Sequence, residues 1–301
     1  MISIIVCSRN KLLSEAFVKN IADTIAVDYE IVHIDNSENQ YSISSAYNKG
    51  IIESKYSYLC FVHEDVKFHS HGWGKNIIEH LQRPNAGVFG LAGRDFVTRV
   101  PASWKVKLDS VNIIQSYQTE RKRSKTRFLP KKFNLPCRSV VLLDGVFMCM
   151  SRELMDTIRF DEAIEGFHGY DFDICIQSAI AGYSNFVMYD IVLEHYSKGY
   201  SDACYYHNLI KIFRKWNHKL PLIGENTPIK QLSRIGRIEE KGLRRLLVKM
   251  VRRGFSTKEI IDEITFFGSS IGSSRIKFIR RSIYLHVFFI RLFNCPKYLL
   301  K

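Results

Sequence analysis

Apolar residues concentrate in short runs: Ile2 to Val6, Glu30 to Ile34, Tyr58 to Val62, Gly87 to Ala92 and Asn185 to Leu193. Runs of this length, rich in Ile, Val, Phe and Tyr, fit buried β-strands. Between them, Leu12 to Ile25 and Ser44 to Ser54 follow a helical period. The strand–helix–strand–helix–strand order predicts an α/β fold with parallel strands joined by right-handed crossovers. Sheets of that kind bind ligands at the carboxyl ends of their strands. Polar residues follow each of the first three strands: Cys7-Ser8-Arg9-Asn10, Asp35-Asn36-Ser37 and His63-Glu64-Asp65.

The pattern breaks between Arg94 and Arg138, where prolines at 101, 130 and 136 flank a basic run from Arg121 to Arg127. These features predict a long, partly flexible insertion, with the basic run a solvated loop that could meet a diphosphate, as could Arg94. Val146 to Met150 reads as a further buried strand. From Asp171 to Tyr183 an apolar stripe at helical spacing predicts a helix packed on the core. Glu239 to Arg253 and Thr257 to Phe267 predict two short helices joined at Gly254.

The 301 residues are 46% hydrophobic and 25% charged, which is ordinary globular composition and excludes disordered and collagen-like classes. Seven scattered cysteines without a C-x-x-C pair suggest neither a disulfide framework nor a zinc site, and a reducing cytoplasm is the simplest setting. The N-terminal run reads as a first strand rather than a signal peptide. Ile283 to Phe293, broken by His286 and Arg291, is too short to span a bilayer. Charge is uneven: positions 201–301 hold 21 Lys and Arg against 7 Asp and Glu, which accounts for the whole net charge of +14. A neutral body of about residues 1–222 with a basic helical C-terminal region, 223–301, is expected, the latter facing something anionic.

The most chemical segment is the strand that ends in His63-Glu64-Asp65. A hard divalent ion on a diphosphate needs few protein ligands, and a mixed imidazole and carboxylate set suits manganese or magnesium. An acidic cluster after a strand is equally read as a solvated loop or helix cap.

The ordered pieces Ser3-Ile4-Ile5-Val6-Cys7-Ser8-Arg9-Asn10, Ile34-Asp35-Asn36-Ser37, Ala46-Tyr47-Asn48-Lys49-Gly50 and Phe61-Val62-His63-Glu64-Asp65-Val66 resemble a family 2 type glycosyltransferase. So do Asp144-Gly145-Val146-Phe147-Met148, Gly169-Tyr170-Asp171-Phe172-Asp173 and Leu193-Glu194-His195-Tyr196. The resemblance is to the branch whose metal motif reads His-x-Asp. It implies the GT-A fold, Rossmann-like with a mostly parallel central sheet, and inverting transfer from a nucleotide diphosphate sugar, UDP-type favoured.

Carried over residue by residue, the resemblance implies that Ser8 and Asp35 meet the nucleotide base and that Asn48 closes its pocket, with His63, Glu64 and Asp65 also on the donor. Asp65, His63 and His195 become metal ligands for manganese or magnesium, and Asp171 the general base. Asp144, Gly145 and Tyr170 fall near the sugar and acceptor, Gly145 by permitting close backbone approach. Apart from the resemblance, Trp104 in the insertion could stack on the face of a sugar. Tyr170 departs from the pattern, which commonly has glutamate there. Asp171 has a plainer reading as a helix N-cap, which would hold its pKa low. Asp35 has one as a turn aspartate.

Arg275 to Arg291 interleaves basic and aromatic residues, as an interfacial membrane helix would. The expected partners are therefore a nucleotide sugar, a glycan or lipid-linked acceptor and an anionic membrane surface, with a peripheral location on the cytoplasmic face of the membrane and no nucleic acid. Two other readings stand beside this one: a nucleic-acid-binding protein using its basic third, and an inactive sugar-binding relative.

Overall fold

The computed structural model describes residues 1–101, 110–119, 122–128, 135–197, 201–269 and 271. Trp104 and the basic aromatic segment Arg275 to Arg291 lie outside them. The first elements are β1 (Ile2–Ser8), α1 (Glu15–Thr24), β2 (Tyr29–Asp35), α2 (Ile43–Glu53), β3 (Tyr58–Val62), β4 (Val66–Phe68) and α3 (Trp73–Leu81). Then come β5 (Ala86–Gly90), β6 (Ala92–Arg94), β7 (Phe96–Val97), β8 (Ser110–Val111), β9 (Ile113–Thr119) and β10 (Lys122–Phe128). They are followed by β11 (Cys137–Val140), β12 (Leu142–Leu143), β13 (Phe147–Ser151), α4 (Arg152–Thr157), α5 (Tyr170–Ile180), β14 (Ser184–Met188) and β15 (Leu193–His195). The last are α6 (Ala203–Trp216), β16 (Leu222–Ile223), α7 (Ile229–Leu232), α8 (Ile235–Arg252) and α9 (Thr257–Gly268).

The described residues divide into two compact units, one of 1–97, 110–119, 122–128, 135–197 and 222–226, the other of 98–101, 201–221, 227–269 and 271. In the first, a seven-stranded sheet has the order β11-β14-β5-β13-β3-β1-β2. β13 runs antiparallel to both β3 and β5, and β11 to β14, so the other five strands share one direction. Serines start the early helices because their hydroxyls accept from backbone N–H groups the helix leaves unpaired: Ser14 from Phe17 at 3.2 Å and Ser42 from Ser45 at 3.2 Å. Ile2, Ile4, Val6, Phe89 and Phe147 form the core, with Phe68 stacked on Trp73 at 4.3 Å. Burial of each such side chain contributes about 1.5–3 kcal/mol.

Three expectations change. Gly87 to Ala92 is two strands: β5 stays in the central sheet, while β6 joins β12 and β8 in a small sheet of its own. Asn185 to Leu193 likewise divides into β14 and β15, because Asp190 turns aside to meet His80 Nε2 at 3.0 Å. Among the described residues of the stretch expected as a loop between Arg94 and Arg138, β9 and β10 form an antiparallel ladder and β9 lies parallel to β15. Backbone hydrogen bonds make that ladder whatever the side chains are, and among the described residues β10 is the outer strand of its sheet. Arg94 is 2% exposed, its guanidinium 5.3 Å from the Phe96 ring, rather than a surface cation.

In the second unit α8 and α9 meet at Gly254, whose φ of +82° suits glycine. Leu243, Leu246, Leu247 and Met250 of α8 are buried, and a capping box of Ser256 and Glu259 opens α9. Among the described residues no helix is long and apolar enough to cross a membrane.

Candidate functional site

The parallel strands deliver three polar segments to one edge of the central sheet. In the β1·β2 register Ser8 stands opposite Asp35, and Asn36 N donates to Ser8 O at 2.8 Å. Asp35 is an exposed turn aspartate that accepts from Ser37 N at 2.9 Å, and that bond holds its carboxyl below the usual range. The buried Ser8 hydroxyl bonds to Glu64, whose carboxylate also accepts from Arg9 N at 3.3 Å and Asn10 Nδ2 at 3.1 Å. Glu64 therefore ties the loop after β3 to the loop after β1.

His63, Asp65 and His195 form a second cluster. β3 brings up His63, whose N–H donates to Val146 O at 3.1 Å. β15 pairs with β4 so that His195 faces Val66, and Tyr196 N donates to Asp65 O at 2.9 Å. One ligand atom from each of the three side chains lies within 4.8 Å of the other two. Asp65 Oδ1 is 3.4 Å from His195 Nε2 and 3.9 Å from His63 Nδ1.

The donor set fits a divalent cation. Each imidazole turns one nitrogen to Asp65 while its other nitrogen meets a neighbour, His63 Nε2 the Tyr170 hydroxyl at 2.9 Å and His195 Nδ1 the Gln115 amide at 3.2 Å. Partners behind the ring are how metal-binding histidines are oriented. Burial and the adjacent His195 push the His63 pKa down, towards the neutral form that ligates. Burial alone would raise Asp65, but the hydrogen bond and charge of His195 hold its carboxyl below the ordinary value.

Beside this cluster stands Asp171. The N-cap of α5 is Gly169, at φ +93°, so the plainer reading of Asp171 as the cap is corrected. Asp171 sits in the first turn, 7% exposed, with Gly145 N donating to Oδ2 at 3.2 Å and Phe172 N to Oδ1 at 2.9 Å. Burial and the charge of Asp144 nonetheless push its pKa up to about 7, because desolvation of the carboxylate outweighs the backbone N–H donors of Phe172, Gly145 and Asp171 itself.

Gly145 permits a close approach, that of Tyr170: a β-carbon there would lie 2.3 Å from the Tyr170 hydroxyl. Tyr170 is itself buried, its ring centroid 5.5 Å from that of Tyr47 in an edge-to-face arrangement, and Tyr47 packs on Phe61 and Phe160. Asn48 donates through Nδ2 to Phe160 O at 2.9 Å and to Glu162 at 2.8 Å, so it anchors the loop before α5. Asp173 accepts from Gln177 Nε2 at 2.6 Å.

Sequence reasoning missed Gln115. It lies in the stretch read as a flexible insertion, and its only local signal is the apolar Ile113-Ile114 before it. The sequence also gives no sign that the Tyr170 side chain turns back to His63.

A family model described as a glycosyltransferase-like family matches residues 3–219. Among solved structures, the chain is similar to GalNAc-T7, crystallised with UDP, GalNAc and Mn2+, at a TM-score of 0.50 and 11% identity over 89% of this chain. The match spans 57% of the GalNAc-T7 chain. A second, A197 from STIV, has a TM-score of 0.36 and 13% identity over 65% of this chain and 86% of that one. No curated protein matches.

Proposed function

The chain belongs to the glycosyltransferase-like family, and on that premise we propose that it moves a sugar, with inversion, from a nucleotide diphosphate donor to a glycan acceptor. The observation that carries the proposal is the convergence, at one edge of the sheet, of a metal-competent cluster and a carboxyl group tuned to about pH 7. The GT-A fold expected from the sequence is the fold of this chain, a likeness to GalNAc-T7 that rests on structure and not on identity.

In this reading Asp171 is the general base. Its carboxylate takes the proton of the acceptor hydroxyl as that oxygen bonds to the anomeric carbon and the bond from that carbon to the diphosphate breaks. Gly145 N and Phe172 N hold both oxygens of the carboxylate, fixing its direction. Ser8 and Asp35 would meet the nucleoside, and a uracil-like imide N–H suits the Asp35 carboxylate. His63, Asp65 and His195 would hold manganese or magnesium, which when bound neutralises charge on the leaving diphosphate. Donor binding is thereby separated from base catalysis, since different residues serve each. The acceptor is a cell-surface polysaccharide or lipid-linked precursor, met at the cytoplasmic face of the membrane.

The test is thermal unfolding with a panel of nucleoside diphosphates, with and without manganese, since a ligand bound only by the folded state raises the midpoint. Stabilisation by UDP that requires manganese is expected. No shift with any member of the panel would overturn the proposal.

A further inference from the structure

The longest described helix, α8, carries charge of a single sign along one face. Arg237, Lys241, Arg245 and Lys249 recur every four residues, all exposed. That spacing places them within an arc of about 120° and in a row about 18 Å long. The opposite face is the buried Leu243, Leu246, Leu247 and Met250. Both acidic residues of the helix lie off the row. Glu239 is buried and accepts from Arg99 N at 3.0 Å, and Glu240 is half-buried, four residues before Arg244.

Such a row weakens its own helix, because like charges four residues apart repel. Arg237 in addition stands in the first turn, where the helix dipole disfavours a cation. Burial of the leucine face holds the helix together, and an anionic surface laid along the row would relieve both penalties. Just ahead of α8, the short α7 leaves Ile229 84% exposed.

We infer that α8 docks the protein on an anionic phospholipid bilayer, with Arg237, Lys241 and Arg245 over the headgroups and Ile229 at the acyl boundary. Arg237, Lys241 and Arg245 span only about 80° of the helix circumference, so their long side chains reach one flat charged surface together, and an exposed isoleucine gains from lipid where it would gain nothing from a phosphodiester backbone. The inference deepens the reading of a transferase working at a membrane, but its test does not depend on donor binding.

The experiment is sedimentation of the full chain with phosphatidylcholine vesicles, with and without phosphatidylglycerol. The wild-type chain is expected to pellet only with the anionic vesicles and less at high salt. The triple variant Arg237→Glu, Lys241→Glu, Arg245→Glu should lose on the order of a hundredfold in partitioning. Its melting midpoint should not fall, since glutamate suits the first turn and Glu four residues before Lys249 attracts it, and its manganese-dependent stabilisation by UDP should match the wild type, because none of the three residues belongs to the donor site. Ile229→Ser should weaken the binding that survives high salt. Pelleting of the triple variant like the wild type would overturn the inference. So would a wild-type chain that binds a DNA duplex and ignores anionic vesicles. Loss of UDP stabilisation with vesicle binding intact would remove the transferase reading and leave this one standing.

Discussion

The Tyr170 hydroxyl donates to the Gly145 carbonyl at 3.0 Å and lies 2.9 Å from Nε2 of His63. A phenol has one proton to give. With that proton on Gly145 O, the hydroxyl accepts from His63, which places the imidazole proton on Nε2 and turns the Nδ1 lone pair towards Asp65. In this arrangement Tyr170 sets the tautomer of a metal-competent histidine.

Tyr170→Phe keeps the ring against Tyr47 but frees His63 to rotate and change tautomer. The expected outcome is a fold destabilised by about 1–3 kcal/mol and a manganese affinity, measured by titration with UDP present, weaker by roughly 10–100-fold. An unchanged manganese affinity alongside the stability loss would reduce Tyr170 to a packing residue.

Asp65→Ala is expected to abolish manganese-dependent stabilisation by UDP. Asp171→Asn should keep it while transfer falls by roughly 100-fold or more, because the amide cannot take a proton. Thermal shift and product formation, measured on the same preparations, check the pair, and equal loss of donor binding in both variants would count against separate roles.

The Asp171 pKa of about 7 predicts a rate that rises with pH through neutrality, since the base acts only when ionised. Asp144 contributes to that raised value, and its Oδ1 accepts from Val146 N at 3.1 Å, a bond the carbonyl of asparagine can keep. Asp144→Asn should therefore move the rising limb to lower pH. The profile of kcat/KM against pH decides this, and a limb that stays in place would remove Asp144 as the cause.

His80 is 2% exposed and bonded to Asp190; burial would lower its pKa, but the Asp190 carboxylate raises it to about 9. The folded state then holds a proton that the unfolded chain releases near pH 6.5. Stability from this pair is full below about pH 6.5 and is lost as pH rises through about 9. Melting midpoints taken from pH 6 to 10 should fall across that window, and Asp190→Asn should flatten the fall. A wild-type profile as flat as the variant's would contradict it.

The sequence carried the strands that build the sheet. β3 runs over Tyr58–Val62 as its apolar run indicated, and β1 and β2 extend theirs by one or two polar residues that complete a parallel ladder. Such runs are legible because a strand buried on both faces needs nothing but apolar, β-branched and aromatic side chains. Helix ends were less legible: α5 begins on a glycine at positive φ, a conformation that composition does not announce. The stretch around β9 and β10 was misread because pairing there is made by backbone groups, to which side-chain polarity is a poor guide.

By itself, then, the sequence determined the α/β order, the polar segments holding Ser8, Asp35 and His63-Glu64-Asp65 that come where the first three strands finish, and the basic excess of the last third. Those are local properties, set by the period of apolar residues and by which side chains follow each strand. Only the tertiary structure decided that His195 meets Asp65 across the β4·β15 ladder, that Gln115 stands behind it, and that Tyr170 reaches His63 over a glycine. It also decided that burial overrides the backbone donors in setting the Asp171 pKa. Each of these depends on groups far apart in the chain sharing a space that excludes water, and no local pattern of residues encodes that.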